Sequence, residues 1–245
     1  MGKKIYLVIF GLLFFQLFFF GCTEPSETIK KLQSVEVKEY QGENLSSISD
    51  FRENSIKGPQ YIDIENYKLE VSGLVENPKN FSYGEVLDRQ KYSKVVTLNC
   101  VEGWSAKILW EGILLKDLFE KVKVKPEANT VIFYAYDGYS TSHPLNYILN
   151  NDIILAYKMN DVIIPSERGF PFMLVAEDKW GYKWIKWITK IELSDNPEYK
   201  GYWESRGYNN QGDLTGSKLG WIKWIQKKWF LAPDAFGQLN LLSVN

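Results

Sequence analysis

The chain has 245 residues, with 29 basic and 30 acidic side chains and one histidine. Such a balance excludes a general nucleic-acid binder, because neutralising phosphates requires a basic surplus. Once a removable N-terminal stretch is set aside, the length suits one medium domain with extensions, and 16% aromatics, nine Trp and fifteen Tyr among them, supply a large core with rings left over for a pocket or interface.

In chain order, the first element is an export signal spanning residues 1–22. Lys3 and Lys4 form a short positive region, and Ile5 to Phe20 is apolar apart from Gly11 and Gln16. The run is short for a stable span, which needs about 20 apolar residues. Phe19-Phe20-Gly21-Cys22 resembles the lipobox of bacterial lipoproteins, with bulkier residues than that pattern usually carries. The resemblance implies that Cys22 bears lipid as the first mature residue and anchors the chain to the cell-envelope membrane, on its periplasmic or extracellular face. The alternative is an uncleaved membrane anchor. Residues 23–50 are polar and read as a tether. The folded domain is expected from about Phe51 to Gly207, with 208–245 as a C-terminal extension.

Within that domain, Tyr67-Lys68-Leu69-Glu70-Val71 alternates and ends at Gly73, as a half-buried strand does. Ser82-x-x-Glu85 has the form of a capping box and opens a short helix. Val95-Val96-Thr97-Leu98 predicts a buried strand that delivers Asn99 and Cys100 to its end. Leu115, Leu118, Phe119 and Val122 follow the spacing of an amphipathic helix. Val131–Tyr136 is a strand closed by Asp137-Gly138. Ile153–Met159 and Val162–Ile164 flank Asn160-Asp161, a tight hairpin turn. Phe172–Ala176 and Ile188–Leu193 are further strands. Helices are too few for a regular βαβ series, so the class is a strand-rich α+β domain. Between Gly216 and Phe230, Trp221, Trp224 and Trp229 alternate with Lys218, Lys223, Lys227 and Lys228. This stretch is read as packing on its own domain, with a membrane surface as the alternative.

One histidine, His143, rules out most zinc sites, and the cysteine count rules out four-thiolate iron–sulfur clusters. There is no Cys-x-x-Cys-His haem attachment and no Gly-rich nucleotide loop. Cys100 and His143 could form a nucleophilic pair. Pro144, however, favours a helix start there, which makes a surface histidine the more ordinary reading. If Cys22 carries lipid, Cys100 has no internal disulfide partner. On counts alone it is either a buried small hydrophobe or a functional thiol.

Four stretches change that balance. They are Leu98-Asn99-Cys100-Val101-Glu102-Gly103-Trp104-Ser105 with Trp110-Glu111-Gly112, then Asp137-Gly138-Tyr139-Ser140, then Leu155–Asn160, and last Gly169-Phe170-Pro171-Phe172 with Trp180–Trp187. Their order and spacing resemble the molybdopterin-binding domain of the sulfite oxidase superfamily, in the branch of bacterial methionine-sulfoxide reductase catalytic subunits and their uncharacterised relatives. The resemblance runs from about Phe51 to Gly207. It implies that Cys100 is a molybdenum ligand, a soft thiolate completing the coordination begun by the pterin dithiolene. It implies that Lys183, Trp184, Ile185 and Lys186 bind the pterin, partly through backbone, and that Asn54 lies on a loop over it. Tyr139 is the candidate on the substrate side, as a phenol able to donate a hydrogen bond.

The family's cofactor-contacting arginine is replaced here by Met173, and Arg168 is expected to restore the lost charge. The family's usual twin-arginine signal is replaced by Lys3-Lys4. The expected activity is oxygen-atom transfer on a small sulfur- or nitrogen-containing substrate. Electrons would be exchanged with a separate protein, such as a membrane haem protein. The competing readings are a metal-free surface lipoprotein that binds a ligand or partner, and a thiol enzyme using Cys100.

Overall fold

The computed structural model describes residues 26–220. The expected export signal, Cys22 and most of the Trp- and Lys-rich stretch lie outside the described residues. Among the described residues, no helix is long and apolar enough to cross a membrane.

The segment expected to be a tether is folded. Helix α1 (Glu27–Gln33) is capped by Ser26, and the hairpin β1 (Glu39–Tyr40) and β2 (Glu43–Asn44) follows. The apolar content of this stretch is low, but Ile29 and Ile48 are fully buried. A polar anchor fixes the rest. Glu36 accepts from the Ser47 hydroxyl at 2.6 Å, the Ile48 amide at 2.8 Å and Asn160 Nδ2 at 3.0 Å. The folded unit therefore begins before Phe51. Composition hid this, because a few buried contacts and one satisfied carboxylate suffice to hold a polar segment.

Two five-stranded sheets share one apolar core. The first contains β3 (Lys68–Gly73), β4 (Lys79–Ser82), β7 (Thr130–Ala135), β8 (Ser140–Pro144) and β12 (Ile188–Ser194), in the order β4-β3-β12-β7-β8. Its one parallel pair is β3 with β12. The second contains β5 (Tyr92–Asn99), β6 (Ser105–Leu114), β9 (Ile154–Met159), β10 (Val162–Ile163) and β11 (Met173–Val175). Here β9 pairs with β6 on one edge and with β10 and β11 on the other. The class is the expected strand-rich α+β one.

Local signals act as their chemistry predicts. Ser82 and Glu85 form the reciprocal capping box at the head of α2 (Tyr83–Leu87). Leu115, Leu118, Phe119 and Val122 are the buried stripe of α3 (Leu115–Val122). Asn160 and Asp161 take φ of 46° and 62°, as a two-residue hairpin turn requires. The Asn160 side chain also binds the Leu109 amide and the Ser46 carbonyl, which links the turn to the N-terminal segment.

His143 departs from expectation. Helix α4 (Leu145–Asn150) does start after Pro144, but His143 sits on β8 and is 1% exposed. Its ring stacks on Tyr147 with centroids 5.2 Å apart. Burial drives its pKa well below the usual value, so it is a neutral core residue rather than a surface one.

Candidate active site

The β5–β6 hairpin makes the site. Asn99 pairs with Ser105, leaving a five-residue turn that starts at Cys100. The turn is closed by the Cys100 amide on the Trp104 carbonyl at 2.9 Å and the Gly103 amide on the Cys100 carbonyl at 3.1 Å. Gly103 has φ of +92°, a conformation glycine adopts without strain.

A second layer lies against this turn. Asn99 bridges to Trp180, and Gly181 packs so closely that a Cβ there would lie 3.3 Å from the Asn99 carbonyl and 3.4 Å from Cys100 Cα. The chain then runs through the 3-10 turn Gly181–Lys183 into Trp184 and Lys186.

These elements wall a cavity of about 920 Å³, part of it open to solvent. The walls are largely aromatic, with Phe51, Trp104, Tyr182, Trp184, Trp187 and Tyr208 contributing. Polar groups are few: Cys100, Asn54, Ser55, Arg52, Glu102, Asp137 and Lys186.

Cys100 is 7% exposed, and Asn54 Nδ2 approaches its sulfur to 3.9 Å. Burial pushes the thiol pKa up. The Glu102 amide, Asn54 and the Val101 amide oppose that shift, while the negative charge of the Glu102 carboxylate adds to it. Burial lowers the Lys186 pKa to about 8, countered by Glu53, whose carboxylate lies 3.4 Å from the ammonium. Lys186 also lies 4.4 Å from the Trp187 ring centroid.

Of the residues singled out in the sequence, Cys100, Asn54, Tyr139, Trp184 and Lys186 meet at this cavity, while Lys183, Ile185 and Arg168 do not line it. Lys183 is turned away, and its ammonium lies 2.6 Å from Glu204 with both side chains essentially inaccessible. That pairing leaves it no free charge for a phosphate. Ile185 is fully buried, and its carbonyl accepts from the Leu174 amide of β11 at 2.9 Å. Arg168 is buried, with Nε donating to the Ile48 carbonyl at 3.4 Å. It does not line the cavity, although its charge helps to lower the pKa of Lys186, and Met173 lines the wall as an apolar side chain on β11.

The Tyr139 ring lines the wall, but its hydroxyl donates to the Tyr182 carbonyl at 2.5 Å. Burial raises its pKa well above the usual value, so the phenol stays protonated and committed to that carbonyl. Sequence reasoning missed Arg52, Glu102, Asp137, Trp203 and Tyr208. Glu102 stands inside the recognised motif and carried a usable signal, whereas Trp203 and Tyr208 reach the wall only through tertiary folding.

Two buried side-chain polar atoms on residues of the wall have no protein partner. They belong to Trp104 (Nε1) and Ser55 (Oγ). Unpaired buried donors mark a place where a ligand's acceptors would be satisfied. A soft sulfur, a cation and unpaired donors around a largely aromatic cavity form a donor set that fits an anionic, sulfur-ligated metal cofactor.

Comparison with known proteins points the same way. The family described as "Oxidoreductase molybdopterin binding domain" matches residues 56–203. The chain is 35% identical over 156 residues to the uncharacterized oxidoreductase YuiH of Bacillus subtilis, covering 63% of this chain and 78% of that protein. It is 28% identical over 225 residues to the protein-methionine-sulfoxide reductase catalytic subunit MsrP of Campylobacter jejuni, covering 81% of this chain and 73% of that one. Among solved structures, the sulfane dehydrogenase SoxCD of Paracoccus pantotrophus is similar with a TM-score of 0.58 at 22% identity, over 65% of this chain and 44% of that chain. At that identity the likeness establishes the fold alone.

Proposed function

This chain belongs to the family of molybdopterin-binding oxidoreductase domains, and from that membership we propose that it is an exported enzyme of oxygen-atom transfer, acting on a small sulfur- or nitrogen-containing substrate with Cys100 as the protein's ligand to molybdenum. The observation that carries the reading is the position of Cys100. It starts the β5–β6 hairpin turn and lines the cavity, with Asn54 Nδ2 3.9 Å from its sulfur.

The family's cofactor is molybdenum bound to molybdopterin. When bound, it supplies the two-electron change that oxygen-atom transfer requires. The chain's own residues bind, orient and enclose. Cys100 offers the soft donor, and Asn54 together with the Val101 and Glu102 amides steadies negative charge on its sulfur. Lys186 supplies the cation for the anionic end of the pterin, and Trp104 and Ser55 supply unpaired donors. Trp184 and Trp187 keep water from the enclosed face. Tyr139 braces Tyr182 through its hydroxyl and offers the substrate a ring rather than a proton.

Electrons would pass to or from a separate protein, such as a membrane haem protein. Anchoring at Cys22 would hold the enzyme at the membrane beside that partner. The support for export is the sequence Lys3-Lys4, the apolar run to Phe20 and Gly21-Cys22. Replacing Cys22 with Ala should abolish incorporation of labelled fatty acid and release the protein from the membrane fraction. Persistent label would disprove lipidation there.

The decisive experiment is elemental analysis of protein made in a host that synthesises molybdopterin. Stoichiometric molybdenum is expected in the parent, falling at least about tenfold in Cys100→Ser. Absence of metal from a folded parent would favour the metal-free binding protein, a reading for which the apolar wall at Met173 is the specific support.

A further inference from the structure

Residues 207–220 lie beyond the family match, which ends at residue 203. They form a narrow strap. The Asn209 amide donates to the Lys218 carbonyl at 3.0 Å, and the Gly220 amide donates to Gly207 at 2.9 Å. The strap is fastened along the segment that packs on the Cys100 turn. The Trp180 amide donates to Gly212 at 2.8 Å, and the Leu214 amide to Asp178 at 3.0 Å. The Tyr182 hydroxyl donates to the Asn209 carbonyl at 2.7 Å, and Lys183 to the Asn210 carbonyl at 2.9 Å. Lys179 pairs with Asp213. The approach is close enough to demand glycine at 212. Its φ is +64°, and a Cβ there would lie 2.4 Å from Lys183 Cγ.

From the far side of the strap, Lys218 crosses the Trp180 ring at 4.3 Å and donates to the Val101 carbonyl at 3.2 Å. Among the described residues it pairs with no carboxylate. The Val101 carbonyl and the Glu102 amide belong to one planar peptide unit. Both lie in the turn that begins at Cys100, whose own amide closes it on the Trp104 carbonyl at 2.9 Å. A cation on the carbonyl edge fixes the plane and polarises the N–H on the opposite edge.

We infer that the 207–220 strap is a positioning device for this site, and that Lys218 is its positioning residue, fixing the Val101–Glu102 peptide and with it the turn that carries the Cys100 sulfur. The inference rests on the reading of Cys100 as the metal ligand. Lys218 touches neither substrate nor metal and acts only through that peptide. The strap also presents Tyr208 to the cavity wall, so the part that steadies the ligand turn is joined to the part that shapes the space beside it.

The test compares the full-length parent with Lys218→Met and Lys218→Arg. Hydrogen exchange is followed over residues 98–104 in cofactor-free protein, and molybdenum content is measured in protein from a molybdopterin-producing host. Lys218→Met should exchange about fivefold to tenfold faster in that segment, the effect of one lost hydrogen bond, while β7 keeps its protection. Its molybdenum content should fall. Lys218→Arg keeps charge and donor, and should stay within about twofold of the parent in both measurements. Parent-like exchange at 98–104 in Lys218→Met overturns the inference, as does an Arg protein that behaves like the Met one. Should the Met variant lose protection in β7 as well, the Arg variant decides alone: a parent-like turn supports the role and a loosened turn overturns it. If no protein, the parent included, holds molybdenum, the functional reading fails separately, and exchange still decides whether Lys218 sets the turn.

Discussion

Lys183 and Lys186 flank Trp184 and Ile185, and the two lysines meet different surroundings. Lys183 is enclosed with Glu204 at 2.6 Å, where the same carboxylate oxygen also accepts from the Thr141 hydroxyl at 2.6 Å. Burial pulls its pKa down and Glu204 pulls it back. Lys186 stands at the cavity wall, with its side chain 10% exposed and Glu53 at a looser 3.4 Å. One charge has been committed to structure and the other is left for a ligand. Spacing along the chain does not separate the two roles. What separates them is the 3-10 turn Gly181–Lys183, which directs Lys183 toward the strap, whereas Lys186 comes back to the cavity.

The strongest way to break this contrast is to remove the committed lysine. Lys183→Met leaves Glu204 buried without its cation, and loss of one partner of such a pair costs about 3–5 kcal/mol. Chemical denaturation should show that loss. Replacing Glu204 as well, in Lys183→Met/Glu204→Met, should recover more than half of it, since an apolar pair removes the uncompensated charge. A loss under about 1 kcal/mol in the single variant would show that the pair is not the structural lock its burial implies.

A second, smaller effect is expected at the Asn160 turn. Asn160→Ala removes the side chain that binds Leu109, Glu36 and Ser46 and places alanine at a φ of 46°. Unpaired buried groups together with backbone strain should cost about 2–3 kcal/mol. Limited proteolysis should then cut first within residues 26–50, because Asn160 ties that segment to the sheet. Cleavage elsewhere, with 26–50 still protected, would show that the apolar anchors Ile29 and Ile48 hold the segment without it.

These two regions also mark what was legible in the sequence. Elements with strong local chemistry were readable: the capping box at Ser82, the apolar stripe of α3, the turn at Asn160-Asp161. Strand β6 was not, because from Ile108 onward both of its faces are mostly buried and the alternation that signals a strand disappears. The folded N-terminal segment was missed because its stability comes from Glu36 and Asn160, which are 124 positions apart. At the site, the Cys100 motif located the hairpin turn, since the turn residues and the cysteine are contiguous. Lys183 and Arg168 stand off the cavity wall. The sequence shows a charge in a motif but not its tertiary partner, which for Lys183 is Glu204.

Lys186 offers the smallest and most diagnostic change. In the folded cofactor-free chain its pKa is lowered to about 8, against about 10.4 for an unfolded lysine. Below pH 8 both states carry the charge, and the fold bears the full cost of burying it. Between pH 8 and about 10.4 the fold has released the proton and the unfolded chain has not, so stability rises with pH across that window. Lys186→Met should stabilise the cofactor-free fold by about 1–2 kcal/mol at neutral pH, relief of the buried charge being partly offset by the unpaired Glu53 carboxylate, and should abolish the rise. An anionic group bound at the wall reverses the sign, because it favours the ammonium. Retention of the cofactor should therefore weaken as pH passes 8 in the parent and be weak but independent of pH over that range in Lys186→Met. The two trends run in opposite directions from one side chain, so their joint loss in the variant would assign both to Lys186. A surviving pH dependence of retention would transfer the anion-binding role to another cation of the wall, of which Arg52 is the candidate.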